Sequence, residues 1–442
     1  MDYLKSNIKS IYFKYLAASV GSAMAVTIYS LVDTIAVGKY EGPIGTAALA
    51  VINPVFGIQV FIGIIFGIGG AVLMSNAKGK GDIKEGNGYF TVAVIISVLF
   101  TAVTWLLFFL FSKQIFMFFG ADEIIYPTVI KYGKWLIRFW PVFIFSIFLG
   151  AFVRNDNSPA LATSAVIVGG LFNVFGDWFF VFPLNMGIEG AAIATVTGTT
   201  IQCLIMLTHF LKKNCGLKFA AVKNIIKKIG RIMVVGISSG ILDFGTVVTA
   251  IIINNQILRY GFDIDLSVYG VVSTIAMLIQ AIYSGIGQAI QPLVSVNYGA
   301  GETKRVSKFL KMAVMTAAVM GIVFTAVSEL LPVTIVKLFM KATPDVLAAA
   351  PKIMRIYSTL YVFLGVNITV TYYLQSVMRE KTSLALAAAK SIMLSSVLLY
   401  VMPLGLGING VWLALPICEA VIFAVCLFLI SNKAKLNKKE TV

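Results

Sequence analysis

Asn173 and Asp177 stand one helical turn apart in the run 171–182, LFNVFGDWFFVF, which is otherwise apolar enough to lie in lipid. A charged side chain at the centre of a bilayer costs about 2.5–3.5 kcal/mol on insertion scales, so such residues face a bundle interior or a wet cavity and mark ion or substrate paths. A second carboxylate, Asp33, sits near the end of another apolar run, and the hydroxyl of Thr195 lies in a third. Two carboxylates, an amide and a hydroxyl can do one of two things together. Their oxygens can ligate a hard cation such as Na⁺, or one carboxyl can carry a proton and release it when its surroundings change. The competing reading makes Asp33 and Asp177 interfacial residues that cap helix ends near the headgroups.

The elements that must position these groups follow from composition. The chain has 442 residues, 59% hydrophobic and 12% charged, with a mean hydropathy of +0.92. That lies outside the range of soluble domains and describes a polytopic membrane protein. Twelve runs of spanning length occur near 12–37, 46–75, 89–111, 127–152, 159–182, 187–210, 232–258, 266–297, 309–331, 347–375, 383–403 and 408–430. Only helices carry so many runs through lipid, because each closes its own backbone hydrogen bonds. The expected fold is all-α: twelve transmembrane helices in two six-helix lobes. Spans one and five both run outward, which brings Asp33, near Gly38, and Asp177, near Phe182, to the same depth. Thr195 on the returning span six reaches a similar level.

The formal charge of +16 is distributed for topology, not for nucleic acid. One side collects Lys5, Lys9, Lys78, Arg154, the basic segment from Lys212 to Arg231, Lys304, Arg305 and the terminal Lys433, Lys435, Lys438 and Lys439. The other has only Lys39, Lys113, Arg259, Lys337 and Lys341. The positive-inside rule makes the rich side cytoplasmic, with both termini there and the basic residues against anionic lipid. Cys203, Cys215, Cys418 and Cys426 have no metal-site or CxxC spacing, and the single His209 falls where span six leaves the membrane.

The chain is also written twice. Gly79, Gly81 and Asp82 recur as Gly299, Gly301 and Glu302, Gly67 recurs as Gly287, and Pro183, Leu184, Gly187 and Gly190 recur as Pro403, Leu404, Gly407 and Gly410, always 220 positions on. The expected division is residues 1–210, a basic linker 211–230, and residues 231–442. Since each half has an even number of spans, the halves are related by a pseudo-two-fold axis along the membrane normal, as in transporters whose site lies where the halves meet. The carboxylates break this symmetry, because Ile253 and Val397 stand where Asp33 and Asp177 would recur.

The second half has its own acids, Asp243 on span seven and Glu419 on span twelve. Asp243 could attract a cationic substrate or a second ion, or pair with a polar neighbour such as Gln280. A cavity accepting many ligands would be lined by adaptable and aromatic side chains, for which Gln280 and Tyr283 on span eight and Tyr357 and Tyr361 on span ten are the candidates. An enzyme is not expected, since neither an Asp-rich metal motif nor a nucleophile with its base is present. A lipid-linked flippase or single-metabolite exporter remains the alternative. Lys14, Lys131, Lys134, Arg138, Lys352, Arg355 and Lys390 are the cations that could line a flippase cavity.

Taken together, Leu31-Val32-Asp33-Thr34-Ile35, Asn173-x-x-x-Asp177, Gly187-Ile188-x-Gly190 through Thr195, and Gln291-Pro292 through Asn297-Tyr298-Gly299-Ala300-Gly301 resemble the multidrug and toxic compound extrusion (MATE) family over nearly the whole chain. The resemblance implies a monomeric antiporter of the bacterial inner membrane. It would export amphipathic, often cationic compounds against H⁺ or Na⁺ by rocking two lobes, with no cofactor beyond the coupling ion. In DinF-like members the cation site falls on positions matching Asp33, Asn173, Asp177 and Thr195, with Tyr29 lining that pocket. In NorM-like members a second-lobe site uses an acid on span seven, near which Asp243 sits, and another on span ten, whose membrane part has none here. Many relatives bend span one at a proline, whereas here Gly21 is the only obvious hinge.

Overall fold

The computed structural model describes residues 3–339 and 343–431; Lys341 and the four C-terminal lysines lie outside them. The described residues contain helices and no strands. The helix Ile8–Gly79 is too long to be one span and is interrupted at Gly42, whose φ of 67° and ψ of −147° reverse the chain ahead of Pro43. It therefore supplies α1, residues 8–41, and α2, residues 43–79. The remaining spans are α3 (Ile83–Leu110), α4 (Tyr126–Arg138 and Trp140–Asn155, bent by 57°), α5 (Pro159–Val181), α6 (Gly187–Leu211), α7 (Ile225–Tyr260), α8 (Asp263–Gly299), α9 (Thr303–Leu330), α10 (Pro344–Ser358 and Tyr361–Ser376), α11 (Glu380–Leu406) and α12 (Ile408–Ser431). Each run expected to span is matched by one of these twelve. Two short helices, Ser112–Phe118 and Pro332–Phe339, sit at matching places in the two halves.

The repeated glycines explain themselves in the backbone. Gly81 and Gly301 take φ of 85° and 77°, and Gly187 and Gly407 take 55° and 56°. Each pair makes the same left-handed turn, a conformation without steric cost only for glycine. Gly67 lies against Phe148 and its counterpart Gly287 against Tyr372, so the second helix of each lobe packs on the fourth in the same way.

Helices α1–α6 form one lobe and α7–α12 the other. They meet through α2 on α7 and α8 on α1 and α2. A Cβ on Gly69 would lie 2.2 Å from the Ile232 carbonyl oxygen, and one on Gly236 would lie 2.0 Å from that of Ile65. Such contact needs glycine, because helices without a hydrophobic force between them associate by close backbone approach. These crossings lie in the half of the bundle that carries the basic loops, termed here the basic end. There the lobes are also tied by Lys228 with Glu85, Arg231 with Tyr89 at 3.1 Å, and Arg305 with the carbonyls of Tyr3 and Ser6 at 2.9 Å.

Candidate functional site

The site in the first lobe is made by how α5 and α6 cross. Gly169 and Gly198 face one another, each with a Cβ position 2.5 Å from the other's carbonyl oxygen, and Gly176 lies against Ala194. With no side chains between the backbones, Asn173, one turn beyond Gly169, comes directly onto Thr195. The Asn173 Nδ2 donates to Thr195 Oγ1 at 3.0 Å, Tyr132 Oη donates to the same oxygen at 3.3 Å, and Thr195 donates its proton to Asp33 Oδ1 at 3.5 Å.

Helix α1 does not end near Gly38, as the sequence suggests, but continues to Gly42. The depth match survives because Tyr40 packs edge-on against Phe182, ring centroids 6.1 Å apart, at the end away from the basic loops. Asp33 and Asp177 thereby face one another, carboxyl to carboxyl. Asp177 is fully buried, yet among the described residues no hydroxyl or N–H donates to either of its carboxyl oxygens or to the Asn173 side-chain carbonyl. The group it faces is the Asp33 carboxyl, with which it shares a hydrogen bond only when one of the two holds a proton. The four residues Asp33, Asn173, Asp177 and Thr195 are therefore brought together. Tyr132 is the member that sequence reasoning missed. It sits on the first segment of the bent α4, where its neighbours Lys131 and Lys134 make the stretch read as an interfacial helix.

This cluster lies inside the first lobe and does not line the larger space between lobes. That space is a cavity of about 720 Å³ walled by helices of both lobes, including Tyr29, Asp243, Gln280 and Tyr357. Tyr29, one turn from Asp33, packs on Gly170 and separates the cluster from the cavity. Tyr283 and Tyr361 do not line it. The Tyr283 ring fills the room left by Gly365, and its hydroxyl donates to the Tyr361 carbonyl at 2.9 Å. Helix α10 is interrupted between Ser358 and Tyr361, so the one-turn spacing from Tyr357 does not keep Tyr361 on the cavity face.

Of the cations that could have lined a flippase cavity, Lys390 alone does so, where its amine pairs with Glu419 Oε1 at 3.1 Å. Lys14, Lys131, Arg138, Lys352 and Arg355 are exposed on the outside of the bundle, and Lys134 pairs with Glu189 at 2.6 Å. At the basic end Asp156 accepts from Lys78 Nζ at 2.9 Å and from the Gly216 N–H at 2.7 Å, and lies 2.8 Å from His209 Nε2. Cys215 is close enough to complete a set of metal-ligand types with Asp156 and His209. The Lys78 ammonium already holds this carboxylate, so the group reads as an ion-pair node.

The chain matches the MatE family model over residues 18–179 and 241–401, one stretch in each lobe. It is 22% identical over 432 residues to the multidrug export protein MepA of Staphylococcus haemolyticus, covering 97% of this chain and 94% of that protein. MepA of Staphylococcus aureus is 21% identical, with 97% and 95% covered. Among solved structures, a MATE in complex with MaL6 superposes with a TM-score of 0.91 at 19% identity, covering 99% of this chain and 98% of the other. The outward-facing conformation of a multidrug resistance MATE family transporter of the MOP superfamily gives a TM-score of 0.88 at 19% identity, with 97% and 96% covered. With most of both lobes matched by the family model, the protein is a membrane transporter and not an enzyme, and it belongs to the MatE family.

Proposed function

We propose that this protein exports amphipathic, often cationic small molecules from the cytoplasm, driven by inward movement of a cation, H⁺ or Na⁺, bound at Asp33, Asn173, Asp177 and Thr195. The observation that carries the reading is the pair of orphaned oxygens on fully buried Asp177, facing Asp33. An unpaired buried carboxylate is costly, and two adjacent ones more so, unless a proton or metal cation neutralises them. The cluster therefore prefers to be loaded, and loading changes how α1, α5 and α6 pack beside the cavity. Tyr29, Asp243, Gln280 and Tyr357 face the substrate, which the cavity releases outward after the lobes rock about their crossing.

Export as a function is supported by the MepA likeness, and its direction by the basic loops, whose charge favours a cytoplasmic position for both termini in a bacterial inner membrane. The lobes are packed together at that end, as in an outward-facing carrier. Proteoliposomes loaded with a fluorescent cation test this, with Na⁺ and pH gradients imposed separately. Efflux is expected under one gradient and to be lost in both Asp33→Asn and Asp177→Asn. Efflux that ignores both gradients sinks the coupling reading and turns attention to the flippase.

A further inference from the structure

Four charged side chains line the central cavity, Arg154, Asp243, Lys390 and Glu419, and they are not distributed evenly. On the second-lobe side Lys390 serves two acids. It pairs with Glu419, which also accepts from Asn367 Nδ2 at 2.7 Å, and it acts on Asp243 through space. One cation against two carboxylates leaves that wall short of positive charge.

Arg154 has the opposite problem. It is 9% exposed, and its Nη1 donates to the neutral Gln288 Oε1 at 2.6 Å, while its buried Nε has no partner among the described residues. Its electrostatic neighbours are the phenols of Tyr372 and Tyr15, and no carboxylate is among them. A cavity-lining guanidinium in this state carries its charge with no acidic partner, and a carboxylate or similar anion is the group that arginine donors match. The two charged regions face one cavity, and Tyr372, which is hydrogen-bonded to Gln288 beside Arg154, lies between them. Tyr372 lies within electrostatic reach of both Arg154 and Asp243.

We infer that the cavity selects amphipathic zwitterions, compounds that place a carboxylate or comparable anion on Arg154 and an ammonium near Asp243, with their apolar body along Phe56, Ile64 and Met206. A purely cationic amphiphile satisfies one end and leaves the guanidinium buried without a counter-charge. This rests on the export reading and names the substrate class of that same cavity.

The test uses the purified full chain and three matched fluorescent probes: an aromatic amino acid-like zwitterion, its methyl ester, which keeps only the cation, and its N-acetyl derivative, which keeps only the anion. The zwitterion is expected to bind at least tenfold more tightly than either. Arg154→Gln is expected to bring the zwitterion-to-ester affinity ratio to about one, while Arg154→Lys keeps a preference of several fold. Because the ratio is taken within one preparation, loss of folded protein cancels from it. Equal binding of zwitterion and ester by the unaltered protein, or an unchanged ratio in Arg154→Gln, overturns the inference. Gradient-driven efflux of the ester alone would do so while leaving the export reading intact, and efflux of none of the three would remove both.

Discussion

Gly79 and Gly299, 220 positions apart, cross at the basic end with their backbones in contact. A Cβ on Gly79 would lie 2.2 Å from the carbonyl oxygen of Val296, and one on Gly299 would lie 2.1 Å from that of Asn76. Asn76 and Val296 are themselves 220 apart, so each glycine meets the residue equivalent to the one its counterpart meets. The pseudo-two-fold axis therefore runs between α2 and α8 at this point. What the duplication provides is a self-complementary crossing on which two lobes can close.

The crossing predicts that Gly79→Val or Gly299→Val blocks closure at the basic end, since neither neighbouring oxygen can move without shifting a helix. Efflux in vesicles should fall at least tenfold, and a cysteine placed near Arg154 should become more reactive to a membrane-impermeant thiol reagent applied from the basic side. Unchanged reactivity with normal efflux would show that the crossing tolerates a side chain and is not the closing surface.

A weaker tie reinforces the same closure. Lys228 of α7 is buried while its partner Glu85 on α3 is 43% exposed, and the ammonium also lies 4.2 Å from the Tyr89 ring centroid. A half-exposed ion pair is worth about 0–1 kcal/mol, so Glu85→Gln should shift the balance between closed and open basic ends by no more than several fold. The same thiol-accessibility measurement reads it, and raising the salt concentration should shrink the difference between Glu85→Gln and the unaltered protein.

Asp177 predicts a trade between stability and activity. Replacing it with leucine removes a buried carboxyl that faces another carboxyl and that no hydroxyl or N–H among the described residues satisfies, and should raise resistance to unfolding by about 1–3 kcal/mol. Gradient-driven efflux should be lost at the same time. A variant less stable than the parent would mean that the carboxyl has a structural partner.

The node at Asp156 predicts a pH dependence with a definite sign. Burial pushes this carboxyl up, but His209, Lys78 and the Gly216 N–H outweigh burial and hold it below its usual range. A depressed carboxyl stabilises the fold fully above its unfolded value of about 4, and loses that contribution as pH falls towards the lower folded value. The gap in thermal stability between the unaltered protein and Asp156→Asn should thus be constant from about pH 8 to 5 and close below about pH 4. A gap that widens on acidification contradicts the assignment.

Much of this arrangement is legible from residues alone, for reasons that also mark the limit. Spans announce themselves because lipid admits only long apolar helices, and Asp33 and Asp177 could be placed at one depth because helices rise at a fixed rate. Direction around the helix axis is harder. Tyr132 enters the cluster on a helix bent at Phe139, and Tyr361 leaves the cavity because α10 is interrupted just before it. A periodic argument carries a face only as far as the helix is continuous. Arg154 escaped for a different reason: in a basic loop region it counts as one more topogenic charge, and only packing reveals that it points inward without a counter-ion.

Glu419 is the acid whose role separates most clearly by experiment. Its carboxylate is held between Lys390 and Asn367, all three nine-tenths buried or more, on helices α10, α11 and α12. The stretch 389–394 is π-helix there, and Lys390 lies buried within it. Removing one member of a buried pair strands the other, so Lys390→Met should cost about 3–5 kcal/mol, whereas replacing both with apolar groups is often neutral. Lys390→Met combined with Glu419→Leu should therefore recover most of the loss in a double-mutant cycle read by thermal unfolding. If efflux returns along with stability, Glu419 holds α12 in place and takes no part in coupling. If stability returns and gradient dependence does not, the second lobe contributes an ionisable group to the transport cycle, and the coupling site proposed at Asp33 and Asp177 must be extended to include it.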